Sequence, residues 1–136
     1  TEFRRRRLSV KEIVDTWATI VGSLPDNIDI IFTVSPIRHL ADGLHGNEVS
    51  KATLLLALEE LYPHYPLRAG YFPSYEIMLD DLRDYRFYAA DMKHPSEVAV
   101  DYIYDIFTNT YVTKKDRAAA LENRRRYRAS QHHQIL

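Results

Sequence analysis

The sequence predicts an α/β fold built on a parallel sheet. Capped, helically spaced apolar stripes recur along the chain, short β-rich apolar runs lie between them, and the order is helix, strand, helix, strand, loop, helix. Two parallel strands joined by a helix cross over right-handed, and sites in such sheets lie beyond the carboxyl ends of the strands.

Each element has its own signal. In "LSVKEIVDTWATIVGSL", Ser9 and Glu12 form a capping box, followed by Ile13, Trp17, Ile20, Val21 and Leu24 at helical spacing. After the Pro25-Asp26-Asn27 turn, "IDIIFTVSP" is a nearly continuous apolar run stopped by Pro36, as expected of a central parallel strand buried on both faces. "RHLADGLHGN" has the glycines and polar residues of a loop, and "EVSKATLLLALEELY" predicts a helix with Leu54, Leu55, Leu58 and Leu61 on one face. "RAGYFPSYEIM" is a second strand candidate, interrupted at Pro73, leading through the charged "LDDLRDYRFYAADMK" to a turn. Ser96 caps the next helix, with Glu97 in its first turn and a stripe of Ala99, Ile103, Ile106 and Phe107. The Ala-, Glu- and Arg-rich stretch from Lys114 to Arg128 predicts a helical tail, with "SQHHQIL" fraying beyond it.

Composition narrows the function classes. With 136 residues, 46% hydrophobic, and few Gly or Pro, the chain has the material of one compact core rather than of a disordered or fibrous segment. The absence of cysteine excludes disulfides and thiolate metal sites. His132-His133 cannot place both rings on one helical face, and no other cluster has metal-ligand spacing, so no metal or cofactor is expected. Apolar runs fall far short of the ~20 residues of a membrane helix, and the start lacks a signal peptide's apolar region. The expectation is therefore a soluble chain, cytoplasmic by default.

Two motifs follow the expected strand ends: "SPIRH" (35–39) and "DMKHPS" (91–96). The second holds the makings of an acid–base pair. A serine hydroxyl needs an imidazole to take its proton and a carboxylate to fix the tautomer and stabilise the imidazolium. The three-residue offset lets the Asp91 carboxylate reach Nδ1–H of His94 while Nε2 points outward. The same pattern also suits a surface acid and a histidine packed on Pro95.

"FTVSPIRHLADGLHGNEVSKATLLLALEEL" and "YFPSYEIMLDDLRDYRFYAADMKHPSEVAVDYIYDIF" resemble the second half of the GSCFA family, related to the SGNH (GDSL-like) hydrolases; the resemblance runs from about Phe3 to the C-terminus. It implies a three-layer, flavodoxin-like fold, with residues 1–136 as the C-terminal part of one domain. The Asp-x-x-His-Pro block of SGNH enzymes maps onto Asp91, His94 and Pro95, and the family's Ser-Pro-x-Arg-His motif onto Ser35, Pro36, Arg38 and His39. The Gly-Ser-Cys-Phe-Ala block with the nucleophile is missing from this chain, which opens at Thr1 without Met, compatible with processing or a proteolytic cut.

Serines within the chain are poor substitutes. Ser23 in "GSLPD" ends a helix instead of following a strand, while Ser35 and Ser74 lie near strand ends, where hydroxyls commonly cap loop backbone. Arg38 is either an anion clamp for substrate or oxyanion, with His39 lining the pocket, or half of a structural pair with Asp42 or Asp84. The implied parent is a serine esterase, acyl hydrolase or acyltransferase acting on an ester or O-acyl group, on carbohydrate or lipid, with His94 as general base, Asp91 orienting it and Ser35, Arg38 and His39 at the substrate.

The alternative is a noncatalytic interaction module. "FRRRR" and "ENRRRYRAS" offer cations for phosphates, with Phe3 or Tyr127 to stack on a base. A total of 19 acids against 18 bases disfavours nucleic acid. Self-association is expected instead, since an apolar strand without its neighbour pairs with another chain.

Overall fold

The computed structural model describes residues 6–131. The chain divides into two compact units, the first running through Ala99 and the second from Val100.

The first unit opens with α1 (Val10–Ser23), started by the expected capping box: Ser9 Oγ accepts from Glu12 N at 3.3 Å, and the Glu12 carboxylate accepts from Ser9 N at 2.9 Å. Arg6 donates to the same carboxylate at 2.7 and 3.1 Å. Its guanidinium, with the Ser9 bonds, pulls the Glu12 carboxyl down to about 2. Val14 and Val21 turn inward from α1 and meet Phe32, Ala57 and Leu61, with Trp17 set edge-on to Phe32 at 4.9 Å. This is the core beneath the sheet.

The sheet is parallel, as expected, and smaller than expected. β1 (Ile30–Phe32) pairs with β2 (Ala69–Tyr71) in the register Ile30↔Ala69, Ile31↔Gly70 and Phe32↔Tyr71. Among the described residues it has two strands, so each strand is an edge rather than a centre. The long apolar run yields three paired residues because its partner ends. Phe72 N donates the last rung to Phe32 O, Pro73 has no N–H to give, and the chain turns into a helix at Ser74. Burial is one-sided as well, with Phe32 and Val34 buried and Ile31 40% exposed, the alternation of a half-covered strand.

α2 (Gly43–Leu61) absorbs half of the stretch read as loop, entering through a 3-10 turn (Leu40–Asp42) and Gly43 at φ 72°. Its buried residues are Asn47, Lys51, Ala57 and Leu61; of the expected leucine stripe, Leu61 is buried, Leu55 and Leu58 are half-buried and Leu54 is exposed. The polar first half of α2 thus faces a loop, and the apolar second half faces the core. The "SYEIM" part of the second strand candidate is helical: α3 (Ser74–Glu76) runs into a π-helical turn (Ile77–Leu82) that ends at Arg83 in the left-handed region, φ 59°. Ser74 continues β1's pairing with its side chain, donating to Val34 O at 2.9 Å and bonding the Thr33 hydroxyl at 2.6 Å.

The loop carrying Asp91–His94 is closed by an antiparallel bridge, Tyr88↔Pro95, in which Ser96 N donates to Phe87 O at 2.7 Å and Ala89 N to His94 O at 2.8 Å. Ser96 then caps α4 (Glu97–Tyr111), accepting from Ala99 N at 3.3 Å. Ala99 is fully buried, while Ile103, Ile106 and Phe107 are half-buried. In the second unit, Thr113 and Asp116 cap α5 (Lys114–Gln131), which runs past the expected end at Arg128, and Arg124 pairs with Asp101 of α4. No helix among the described residues is long and apolar enough to cross a membrane.

Candidate active site

Asp91 is held by three donors from its own turn. Its Oδ1 accepts from the backbone N–H of Lys93 at 2.9 Å and of His94 at 3.0 Å, and its Oδ2 lies 2.5 Å from His94 Nδ1. Such a turn requires Met92 in the left-handed region, φ 59°. The Lys93 amide, then the imidazole and then the His94 amide hold the carboxyl well below the usual carboxylate range. An ionised carboxylate only accepts, so the hydrogen-bond network assigns the proton of neutral His94 to Nδ1 and leaves a lone pair on Nε2. The pair is open to solvent, His94 being 59% and Asp91 44% exposed at the side chain.

The second motif reaches this turn through Arg38. Its backbone N–H donates to Lys93 O at 3.0 Å and its guanidinium to Met92 O at 3.4 Å, while the guanidinium plane covers the Tyr88 ring at 3.9 Å and nears Tyr85 at 5.6 Å. Neither Asp42 nor Asp84 is its partner, and the Asp84 carboxylate engages Arg86 at 2.9 Å. Arg38 therefore braces the Asp91–His94 turn and forms no ion pair among the described residues.

The other motif residues lie on the same loop without converging. Ser35 Oγ accepts from Ile37 N at 3.3 Å, a loop-capping role, and its carbonyl accepts from Lys51 Nζ at 2.5 Å. His39 gives its N–H to Asn47 Oδ1 at 2.8 Å and lines a different space, a cavity of about 580 Å³ between Ile13 and Trp17 of α1 and Leu54 of α2. Ser74, the remaining hydroxyl near a strand end, is 6% exposed and committed to Thr33 and Val34.

Sequence reasoning missed the residues beneath this loop. Asn47 and Lys51 stand one turn apart on α2, both buried. Burial pushes the Lys51 ammonium's pKa down, against the pull of Glu48. The Glu48 carboxylate accepts from Asn47 Nδ2 at 2.9 Å and from the Tyr75 hydroxyl at 2.7 Å. A polar pair four residues apart just ahead of a leucine-rich run was the available signal, hidden by placing the helix start at Glu48.

The GSCFA family model matches residues 1–107, spanning both motifs and ending within α4. This chain belongs to the GSCFA family. The match stops short of the C-terminus, so residues 108–136, including the arginine-rich helix, lie outside it. No curated protein and no solved structure matches the chain. Within this GSCFA chain the arginine clusters are partly neutralised: Arg6 engages Glu12, Arg124 engages Asp101 and Arg126 engages Glu122 at 2.9 Å. Phe3, Arg4, Arg5 and His132-His133 lie outside the described residues. Among the described residues no group of three or more His, Asp and Glu side chains is arranged to hold a metal ion.

Proposed function

We propose that this GSCFA chain carries the acid–base part of an SGNH-type serine esterase or acyltransferase, with His94 as general base and Asp91 as its orienting carboxylate. The observation that carries the reading is the 2.5 Å contact between Asp91 Oδ2 and His94 Nδ1, on a turn whose backbone also binds the carboxylate. Nε2 then takes the proton of a serine hydroxyl as it attacks the ester carbonyl and returns it to the leaving alkoxide, while Asp91 steadies the intervening imidazolium. The parallel β1–β2 pair supports placing the chain as the C-terminal part of a three-layer, flavodoxin-like domain. The substrate is an ester or O-acyl group, carried on carbohydrate or lipid. In this reading Ser35, which is exposed, and the Arg38 donors not given to Met92 supply polar groups for the substrate, and His39 lines a separate cavity.

The nucleophile comes from outside the described residues. No described serine hydrogen-bonds to His94; Ser23 and Ser35 serve local backbone and Ser74 the Val34 carbonyl just beyond β1. In a polypeptide extended upstream to a strand followed by Gly-Ser, a fluorophosphonate labels that serine, and Asp91→Asn lowers kcat by about 10⁴, the size of the loss when a triad loses its orienting acid. The chain by itself hydrolyses p-nitrophenyl acetate no faster than its His94→Ala variant. An acyl adduct trapped on Ser35 or Ser74, or labelling indifferent to His94, overturns the reading.

A further inference from the structure

Both ends of the 35–39 loop are pinned by one face of α2. At its start the Lys51 ammonium, on a residue only 7% exposed, donates to Ser35 O at 2.5 Å; at its end Asn47 Oδ1 accepts from His39 N at 2.8 Å. Residues four apart on a helix share a face, so one rigid turn sets the distance between the two anchors. Between them, Arg38 projects onto the other loop, holding Lys93 O with its backbone and Met92 O with its side chain. Those two carbonyls belong to the residues between Asp91 and His94, and Met92 is the one in the left-handed region. A residue held there persists when its surroundings over-determine it. The buried ammonium has further support: the Tyr75 ring lies 5.6 Å away, and the Tyr75 hydroxyl is fixed by Glu48.

We infer that Lys51, with Asn47, is a positioning residue for the Asp91–His94 pair, acting through the pinned 35–39 loop and Arg38. It touches neither member of the pair. Its donor sets where Arg38 sits, and Arg38 sets the turn that brings the His94 ring onto the carboxylate. A buried lysine here has a task that a leucine on the same face cannot perform, because its ammonium both needs an acceptor and, in taking the Ser35 carbonyl, fixes the start of the loop. The inference rests on the acid–base reading for its functional meaning, while its geometric content stands apart from catalysis.

The test therefore reads the pair and not turnover. In the intact chain, the Nδ1–H···O bond predicts ¹⁵N shifts of the Nδ1–H tautomer for His94, read through the carbon-bound ring protons, which do not exchange with solvent. Lys51→Met, which keeps the apolar stem and removes the donor, and Arg38→Ala are each expected to abolish that signature, leaving the signals of His45 and His64 and the dispersion of the backbone spectrum in place. Asp91→Asn marks complete loss. Persistence of the His94 signature in a folded Lys51→Met chain overturns the inference. If Lys51→Met fails to fold, Arg38→Ala decides, since Lys51 acts only through Arg38, and a retained signature there overturns it equally. Failure of the esterase reading alone leaves these spectra unchanged and shows instead in the fluorophosphonate experiment.

Discussion

Replacing Ser74 by alanine separates the structural from the catalytic account of a serine near a strand end. The hydroxyl is buried, donates to Val34 O at 2.9 Å and meets the Thr33 hydroxyl at 2.6 Å. Alanine removes both bonds. Thr33 is exposed and recovers a water, at little cost. Val34 is buried, and its carbonyl loses a donor that water reaches poorly, which costs about 1–3 kcal/mol. The sum is about 2 kcal/mol, a substantial part of the ~5–15 kcal/mol typical of a folded domain. Urea unfolding followed by the fluorescence of Trp17, the single tryptophan, which sits edge-on to Phe32 of β1, reads this unit directly. The midpoint is expected to fall with an unchanged slope, and Thr33→Val is expected to couple weakly to Ser74→Ala in a double-mutant cycle. A Ser74→Ala chain as stable as the parent, or more so, refutes the reasoning and returns Ser74 to candidacy as a nucleophile, since catalytic groups are commonly held at a cost in stability.

Two further outcomes follow from the same geometry. Asp91 titrates below its unfolded value, so its contribution to stability is complete above the ordinary Asp range and is lost progressively as pH falls from that range through the depressed folded value. The Asp91 side-chain carboxyl ¹³C shift should therefore show no protonation step in the ordinary Asp range and move only in stronger acid, and a midpoint at the model-peptide value would remove the three-donor account of the turn. The two-stranded sheet leaves outer strand edges without a strand neighbour among the described residues, and we propose that the chain self-associates through them; light scattering at tens of micromolar should show a dimer or larger, and a monodisperse monomer would end that proposal.

What the sequence by itself determined was local. The Ser9–Glu12 capping box and the Ser96 cap each join residues three apart, so the backbone geometry of a single turn forms the contact wherever the turn sits, and the same spacing made the Asp91–His94 pair legible, though not the Arg38 contacts that brace its turn. Such spacings are legible without knowing the fold. Tertiary structure decided the rest. β1 stopped at Phe32 because its partner stopped at Tyr71, a fact encoded around Pro73 and not in "IDIIFTVSP" itself. Arg38 met the turn 54 residues away, where aromatic faces and carbonyls outcompeted the nearby acids suggested by sequence. Lys51 became buried because α2 begins at Gly43 and turns its polar half under the loop, so that a carbonyl sixteen residues earlier supplied the acceptor a buried ammonium requires. Pairings across such separations depend on the packing of whole elements, and no spacing within one segment records them.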